Sequence, residues 1–502
     1  MMLRLRNSWT DVAMGDPLEL EWLRSFLSVE NQGVEYKRRA LASRGVNREI
    51  GDRVSLVRKV GRAKLHGTKS VSSGYIFPTG LVPLVHAGLR RKGWDCQVLD
   101  MRGKPEPADP LRPVLEGAPW HMTGSYAHQS DALAAWAEGE SPIIPHTLPG
   151  RGIVWAPTGS GKGRLAVAVA ANLPAKWVFA VHRNHLVEDI RERWQALTGE
   201  KAGVIGHGKW SVGETLTCAT IQSLYAARGT SGLTHLTATT TGLIVDECHT
   251  AAASTFAKTI QSFESAYYRI GLSGTPLDRS DQRALISIGA IGPVVYRIKA
   301  KVLQERGVLA VPTVNVIPIY QETPHREWDK VYQELVVDSD HRNGAVIHAM
   351  SKSMENGHTP GIIFVRRIKH GYTLAKMARR KGHNVKVVEG KTPLLLRQDA
   401  CDQLGSGRLD WVIATKVFTE GVNIPALHTV ICAQGGKSIA DTIQQIGRGM
   451  RVTKTKSSLT VWEIGDKGND FLHRHAKVRI GACQREGYQC VVVDNFYPER
   501  ER

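Results

Sequence analysis

The sequence predicts an α/β protein in which strands and helices alternate through two successive blocks, with a smaller α/β module ahead of them. Three observations carry this. Ile153–Gly163, IVWAPTGSGKG, reads as the end of a buried strand, a glycine-rich loop and the start of a helix. Gly242–Thr250, GLIVDECHT, reads as a buried strand delivering two adjacent carboxylates and a histidine to its C-terminal edge. From Pro312 to Arg451, short apolar runs alternate again with helical stretches. Strand, glycine-rich loop and helix are the context a phosphate-binding loop needs, because backbone N–H groups and the helix N-terminus together favour an anion. A strand edge bearing carboxylates is where open α/β sheets bind their ligands.

Composition narrows the partners. The chain has 502 residues, 42% of them hydrophobic, a formal charge of +19 and a pI near 9.7. A polyanion is the expected partner, nucleic acid first and an anionic membrane surface second. No apolar run is long enough to span a bilayer, and MMLRLRNSWTD lacks the apolar core of a signal peptide. Cys96, Cys218, Cys248, Cys401, Cys432, Cys483 and Cys490 are scattered without a C-x-x-C pair. They read as reduced thiols in a cytosolic protein, with no zinc site.

Taken in order, residues 1 to about 120 are the least legible. Lys37–Lys69 is a basic run broken by glycines, which fits a solvated face or a nucleic-acid contact. Tyr75–Phe77 and Cys96–Leu99 read as strands around an amphipathic helix, Leu81–Arg91. MRGKPEPADPLRPVLEGAPW reads as a linker. A helix follows from about Tyr126, where the amide of Gln129 could read an adenine edge. Strand Trp177–Val181 runs into a basic loop containing Arg183. Thr217–Leu224 repeats that pattern, with Thr220 and Gln222 at the strand end. Asp246 suits water-mediated Mg²⁺ binding, Glu247 activation of a water, and His249 a link to the turn Ser273-Gly274-Thr275-Pro276. In the second block, Gly361–Val365, Val385–Val388, Leu409–Thr415 and Thr429–Ala433 read as strands. Ile439–Arg451 reads as a helix presenting Gln444, Arg448 and Arg451 on one side.

APTGSGKG, DECH, SGTP, GIIFV, TEGVNIP and QQIGRGMR occur in the order of motifs I to VI of the superfamily-two helicases and translocases. Over about residues 120–480 the chain resembles that superfamily. RGVLAVPTV, DSDHRN and NDFLHRHAKVRI resemble the branch of restriction-type motors, XPB-like proteins and phage branch-migration helicases. The resemblance implies two tandem RecA-like domains with parallel sheets, plus a small N-terminal α/β accessory module. The expected boundaries are 1–115 for the module, 116–298 and 299–480 for the two domains, and 481–502 for a tail.

It further implies ATP and Mg²⁺ as cofactors, with the nucleotide between the two domains. Pro157, Thr158, Gly159, Ser160, Gly161, Lys162 and Gly163 would bind it from the first domain, with Gln129 at the base. Gly421 and Asn423 would lie near the ribose or γ-phosphate, and Arg448 and Arg451 would act as arginine fingers. Arg183, Thr220, Gln222 and Thr415 are the expected nucleic-acid contacts. The sequence departs from the family pattern at three places: Gly163 replaces the usual hydroxyl ligand of Mg²⁺, Tyr126 replaces an Arg ahead of the Gln, and Asn423 replaces an Asp. The expected function is an ATP-dependent DNA helicase or translocase that remodels branched DNA in recombination, repair or replication. Its expected partner is single-stranded, duplex or branched DNA in the cytoplasm, or in a host's cytoplasm if phage-encoded. An RNA helicase, a restriction-system motor subunit and a DNA-bound nucleotide scaffold with impaired hydrolysis are the alternatives.

Overall fold

Short apolar runs of four to six residues become most of the inner strands of two large sheets, because a parallel sheet is covered on both faces. The computed structural model describes residues 1–13, 16–30, 52–60, 74–105, 127–138, 148–173, 175–182, 184–249, 254–274, 284–415, 427–453 and 456–493. The chain divides into two units: Met1–Trp155 with Lys162–Arg297, and Ala156–Gly161 with Ile298–Arg502.

The first unit holds an eight-stranded sheet. Its order is Lys209–Ser211, Gly203–Gly206, Leu216–Thr220, Trp177–Val181, Gly242–Val245, Tyr268–Ser273, Arg151–Trp155 and Val294–Arg297. Only the edge strand Lys209–Ser211 is antiparallel to its neighbour. Ile153, Val178, Ala180, Leu243 and Val245 pack with Leu236, Ile260 and Phe263 in its core. Gly271 pairs with both Val245 and Ile153, so the strands leading to the glycine loop, the carboxylates and Ser273 end side by side.

The N-terminal residues form a second sheet in this unit, ordered Arg58–Val60, Gly74–Pro78, Trp9–Ala13, Met2–Leu5 and Gln97–Asp100. The strands expected near Tyr75 and Cys96 are therefore its second and last members, and Val82–Arg91 is the expected helix. A further helix, Pro17–Phe26, starts where the Asp16 side chain accepts a hydrogen bond from Leu18 N at 2.8 Å, with proline at its first position. Leu3, Leu5, Leu23, Phe77, Val85 and Leu89 form the module's core, which Leu148, Leu285 and Ile288 join from beyond it. A Cβ at Gly80 would lie 2.0 Å from Ile288 O, so only glycine permits this approach. The module is thus packed into the first unit. Of the basic run Lys37–Lys69 only 52–60 are described, and of the linker only 101–105.

The second unit carries a seven-stranded sheet, parallel throughout: Val385–Val388, Trp411–Ala414, Gly361–Phe364, Thr429–Cys432, Ser458–Gly468, Val311–Gln321 and Gln489–Val492. Helix Asp470–Arg485 runs through position 481, and Gln489–Val492 pairs with Val311–Gln321. Residues 481–492 therefore finish this helix and add the sheet's edge strand, where the sequence reading expects a tail.

Candidate nucleotide and nucleic-acid sites

Gly159 and Gly161 take φ of +89° and +87°, left-handed values open to glycine at little cost, and Ser160 N donates to Pro157 O at 3.2 Å. Helix Lys162–Asn172 starts immediately after this loop. Beside it, Val245 ends its strand and the chain turns at Asp246 and Glu247. Glu247 has φ of +47°, a strained conformation for a non-glycine residue, and its N–H donates to Asp246 Oδ1 at 2.9 Å. Burial pushes the Asp246 carboxyl up to about 6; the Glu247 charge adds to this and the Lys162 ammonium opposes it. His249 joins the two neighbouring strand ends: Nδ1 lies 3.2 Å from Glu247 Oε2 and 3.2 Å from Ser273 Oγ. Lys162, Asp246, Glu247, His249 and Ser273 thus occupy one strand edge, as the sequence reading expects.

Other expected residues land differently. Gln129 is buried on helix Ala127–Glu138. Thr220 is also buried. Its hydroxyl caps helix Ile221–Ala226, accepting from Ser223 N at 3.2 Å and donating to Ser223 Oγ at 2.8 Å. Position at a strand end therefore gives Thr220 a capping role. Gln222 Nε2 donates to His182 O at 2.9 Å and ties two adjacent strand-end loops together. Arg183, Thr275, Gly421, Asn423 and Tyr126 lie outside the described residues.

In the second unit, Thr415 lines a cavity of about 960 Å³ with Val365, Arg366, Lys391, Lys437 and Asp441. Val365, Thr415 and nearby Glu389 directly follow three parallel strands, so this is again a C-terminal sheet edge. Gln444 and Arg448 share a face of helix Ile439–Gly449, which Ser438 caps by accepting from Asp441 N at 3.2 Å. Arg451 corrects the sequence reading: it lies beyond the helix end, bridged to Leu309 in antiparallel fashion, and so does not share the helical face. The buried Lys456 ammonium donates to Gly449 O and, at 3.2 Å, to Arg451 O, satisfying carbonyls at the helix C-terminus.

The sequence reading also missed two buried ion pairs. Arg342 Nε donates to Asp466 Oδ1 at 2.9 Å and Arg479 donates to Glu463 Oε1 at 2.7 Å. The same arginines donate to Ala433 O and Gly436 O at 2.7 and 2.6 Å, bracing the loop ahead of helix Ile439–Gly449. DSDHRN and HAKVRI hold these arginines, but nothing in their spacing marks a buried partner.

Geometry and comparison agree on the class. Residues 124–278 match the family described as type III restriction enzyme, res subunit, and residues 342–453 match the helicase conserved C-terminal domain. The chain is 26% identical over 377 residues to helicase 22, a provisionally named protein of Sulfolobus islandicus filamentous virus (isolate Iceland/Hveragerdi), covering 70% of this chain and 66% of that one. It is 24% identical over 227 residues to the ATP-dependent DNA helicase uvsW of Enterobacteria phage T4, covering 44% and 45%. The chain thus spans about half to two thirds of the length of these curated relatives. A solved fragment from Vibrio vulnificus YJ016, provisionally an HsdR subunit of a type I restriction enzyme, has the same fold with a TM-score of 0.52 at 17% identity, covering 73% of this chain and 68% of that one. The fold is that of tandem RecA-like domains. The chain belongs to the superfamily-two helicases and translocases. Among the described residues no helix is long and apolar enough to cross a membrane.

Proposed function

We propose that the protein is an ATP-dependent DNA helicase or translocase that remodels branched DNA in recombination, repair or replication. The observation that carries this is the convergence of Lys162, Asp246, Glu247 and the His249–Ser273 link at one sheet edge. The glycine loop cradles the phosphates and Lys162 adds a charge to the outer ones. A divalent cation fits the donor set, since the half-buried Asp246 carboxyl is pushed up to about 6 with the like charge of Glu247 beside it, and a cation would offset both. Asp246 would hold Mg²⁺ through water, and the ion would neutralise phosphate charge. Glu247 orients and deprotonates the attacking water. Its neighbour His249 reports the state of that carboxylate to Ser273. Arg448 and Arg451 are proposed as arginine fingers, with Gln444 beside Arg448. Gln222 and Thr415 are proposed contacts to the nucleic-acid backbone, which hold the track without reading sequence.

DNA is favoured over RNA by the name of the phage relative, a DNA helicase; the chain's charge of +19 suits either polyanion. ATP turnover measured with single-stranded, duplex, forked and four-way DNA and with RNA tests the reading. Forked or four-way DNA should stimulate most, and Glu247→Gln should keep ATP binding while stopping turnover. Stimulation by RNA alone would establish the RNA-helicase alternative. ATP binding without turnover in the wild type would leave the scaffold.

A further inference from the structure

Residues 356–388 contain no Asp or Glu, yet include Arg366, Arg367, Lys369, Lys376, Arg379, Arg380, Lys381 and Lys386. Solvated surface helices ordinarily mix both signs, so a segment this one-sided invites an anionic partner. Most of these cations lie on or flank helix Ile368–Arg380. Its inner face, His370, Gly371, Leu374, Ala375 and Ala378, is buried, and a Cβ at Gly371 would lie 3.3 and 3.4 Å from Ile413 and Val365. That packing fixes the opposite face outward. Lys369, Tyr372, Lys376 and Arg380 stand exposed there at spacings of three, four and four, one stripe of the helix.

The stripe has few local partners. Lys369 meets Asp338 at 3.9 Å, with both side chains exposed, and Arg379 donates to the backbone of Val385. Lys376, Arg380 and Lys381 make no ion pair among the described residues. From Lys369 to Arg380 the helix rises about 16 Å over eleven residue steps, the axial length of roughly five phosphates along one strand of a duplex. At its N-terminal end the stripe meets Arg366 and Ile368, which line the 960 Å³ cavity.

We propose that the outer face of helix Ile368–Arg380 is a second phosphate-binding surface, which takes the backbone of a duplex arm of the DNA substrate. Lys376 and Arg380 supply charge, and the exposed ring of Tyr372 lies between them and Lys369 as an apolar rest for the sugar edge. The surface rests on the nucleic-acid motor reading but extends it, since it lies outside the sheet edges that carry the motifs. It gives a branched substrate a hold separate from the strand being tracked.

The double variant Lys376→Gln/Arg380→Gln tests this, with Lys376→Arg/Arg380→Lys as the charge-conserving control. Affinity for a fork with a duplex arm, and for a single strand of matched length, is measured between 50 and 200 mM salt. Two lost phosphate contacts should lower the log–log salt slope on the fork by about 1.8, which makes the loss of affinity over that range roughly tenfold smaller. The slope on the single strand, ATP turnover without DNA and the melting temperature should not change, and the control should behave as wild type. An unchanged slope on the fork overturns the surface alone, as does an equal fall on the single strand. A wild type that binds no DNA overturns the motor reading along with it.

Discussion

Gly163 is the residue at which this chain departs most sharply from its family, and its surroundings bear on whether glycine is required there. A glycine required for space would have a neighbour where its Cβ belongs. A Cβ built there instead meets Ile190 Cδ1 at 3.6 Å, ordinary contact, and Gly163 is not among the residues with positive φ. The position lies in the first turn of helix Lys162–Asn172, where glycine is a poor helix former by about 1 kcal/mol relative to alanine. Gly163→Thr should therefore fold, and should lower the Mg²⁺ concentration needed for half-maximal ATP turnover. Loss of supporting groups around a metal typically costs about 10–100-fold, so a shift of at least tenfold is expected. A Mg²⁺ titration of both proteins checks it; superimposable curves would mean that position 163 does not approach the metal. The motif residues around it were legible because their chemistry is written in their types. The caps were not: Thr220 looks like a strand-end contact in sequence, and only the backbone geometry gives its hydroxyl to Ser223.

At the scale of elements, most inner strands were legible to within a residue or two because burial on both faces demands unbroken apolar runs. The inner strand Ser458–Gly468 was not, because Glu463, Asp466 and Lys467 interrupt its apolar run. Exposed edge strands such as Lys209–Ser211 carry no such signal. Helix Ile439–Gly449 was legible, but its end was misplaced, since Gly449 and the capping by Lys456 stop it before Arg451. Helix Ile368–Arg380 hides a buried histidine beneath its basic face. His370 Nε2 lies 2.8 Å from Asn343 Oδ1, which makes Nε2–H the donor, while the buried Nδ1 has no hydrogen-bond partner among the described residues. Burial, with the Arg342 charge adding, pulls its pKa down to about 3. Between that value and about 6.5 the unfolded chain binds a proton that the folded chain refuses. Stability contributed by neutral His370 is therefore full above about pH 6.5 and is lost as pH falls toward 3. His370→Gln, which keeps a donor for Asn343, should flatten this part of the acid-unfolding profile followed by circular dichroism. A profile as steep as wild type would assign the acid sensitivity to other groups.

At the scale of the whole molecule, the sequence and the structure divide the chain differently. The proline-rich MRGKPEPADP and the separate α/β pattern before it read as a detachable accessory module. Two residues that no motif contains contradict detachment. Arg151 begins the strand that leads into the glycine loop, and Arg269 lies in the strand that ends at Ser273. Both are fully buried, and neither forms an ion pair among the described residues. Arg151 donates to Asn7 O and to Ala290 O, the latter at 3.1 Å. Arg269 donates to Ser8 Oγ at 2.6 Å, to Phe263 O at 2.7 Å and to Ala290 O at 2.8 Å. Burial pulls both guanidiniums below their ordinary range, so each depends on these carbonyl and hydroxyl acceptors. Deleting residues 1 to about 115 removes Asn7 and Ser8, and also exposes the apolar side chains of Leu148, Leu285 and Ile288. A buried donor left without its acceptor costs about 1–3 kcal/mol, and more when charged. Two such losses with the lost packing are a large part of the stability of an ordinary domain. The deletion should therefore yield a protein that melts well below the full chain or fails to stay in solution, and its ATP turnover should fall with its folded fraction. Replacing both arginines by methionine in the truncated protein should recover part of the melting temperature, because it removes the stranded charges. A truncated protein that melts with the full chain, with or without those substitutions, would show that the module is separable after all and serves only in choosing the DNA substrate.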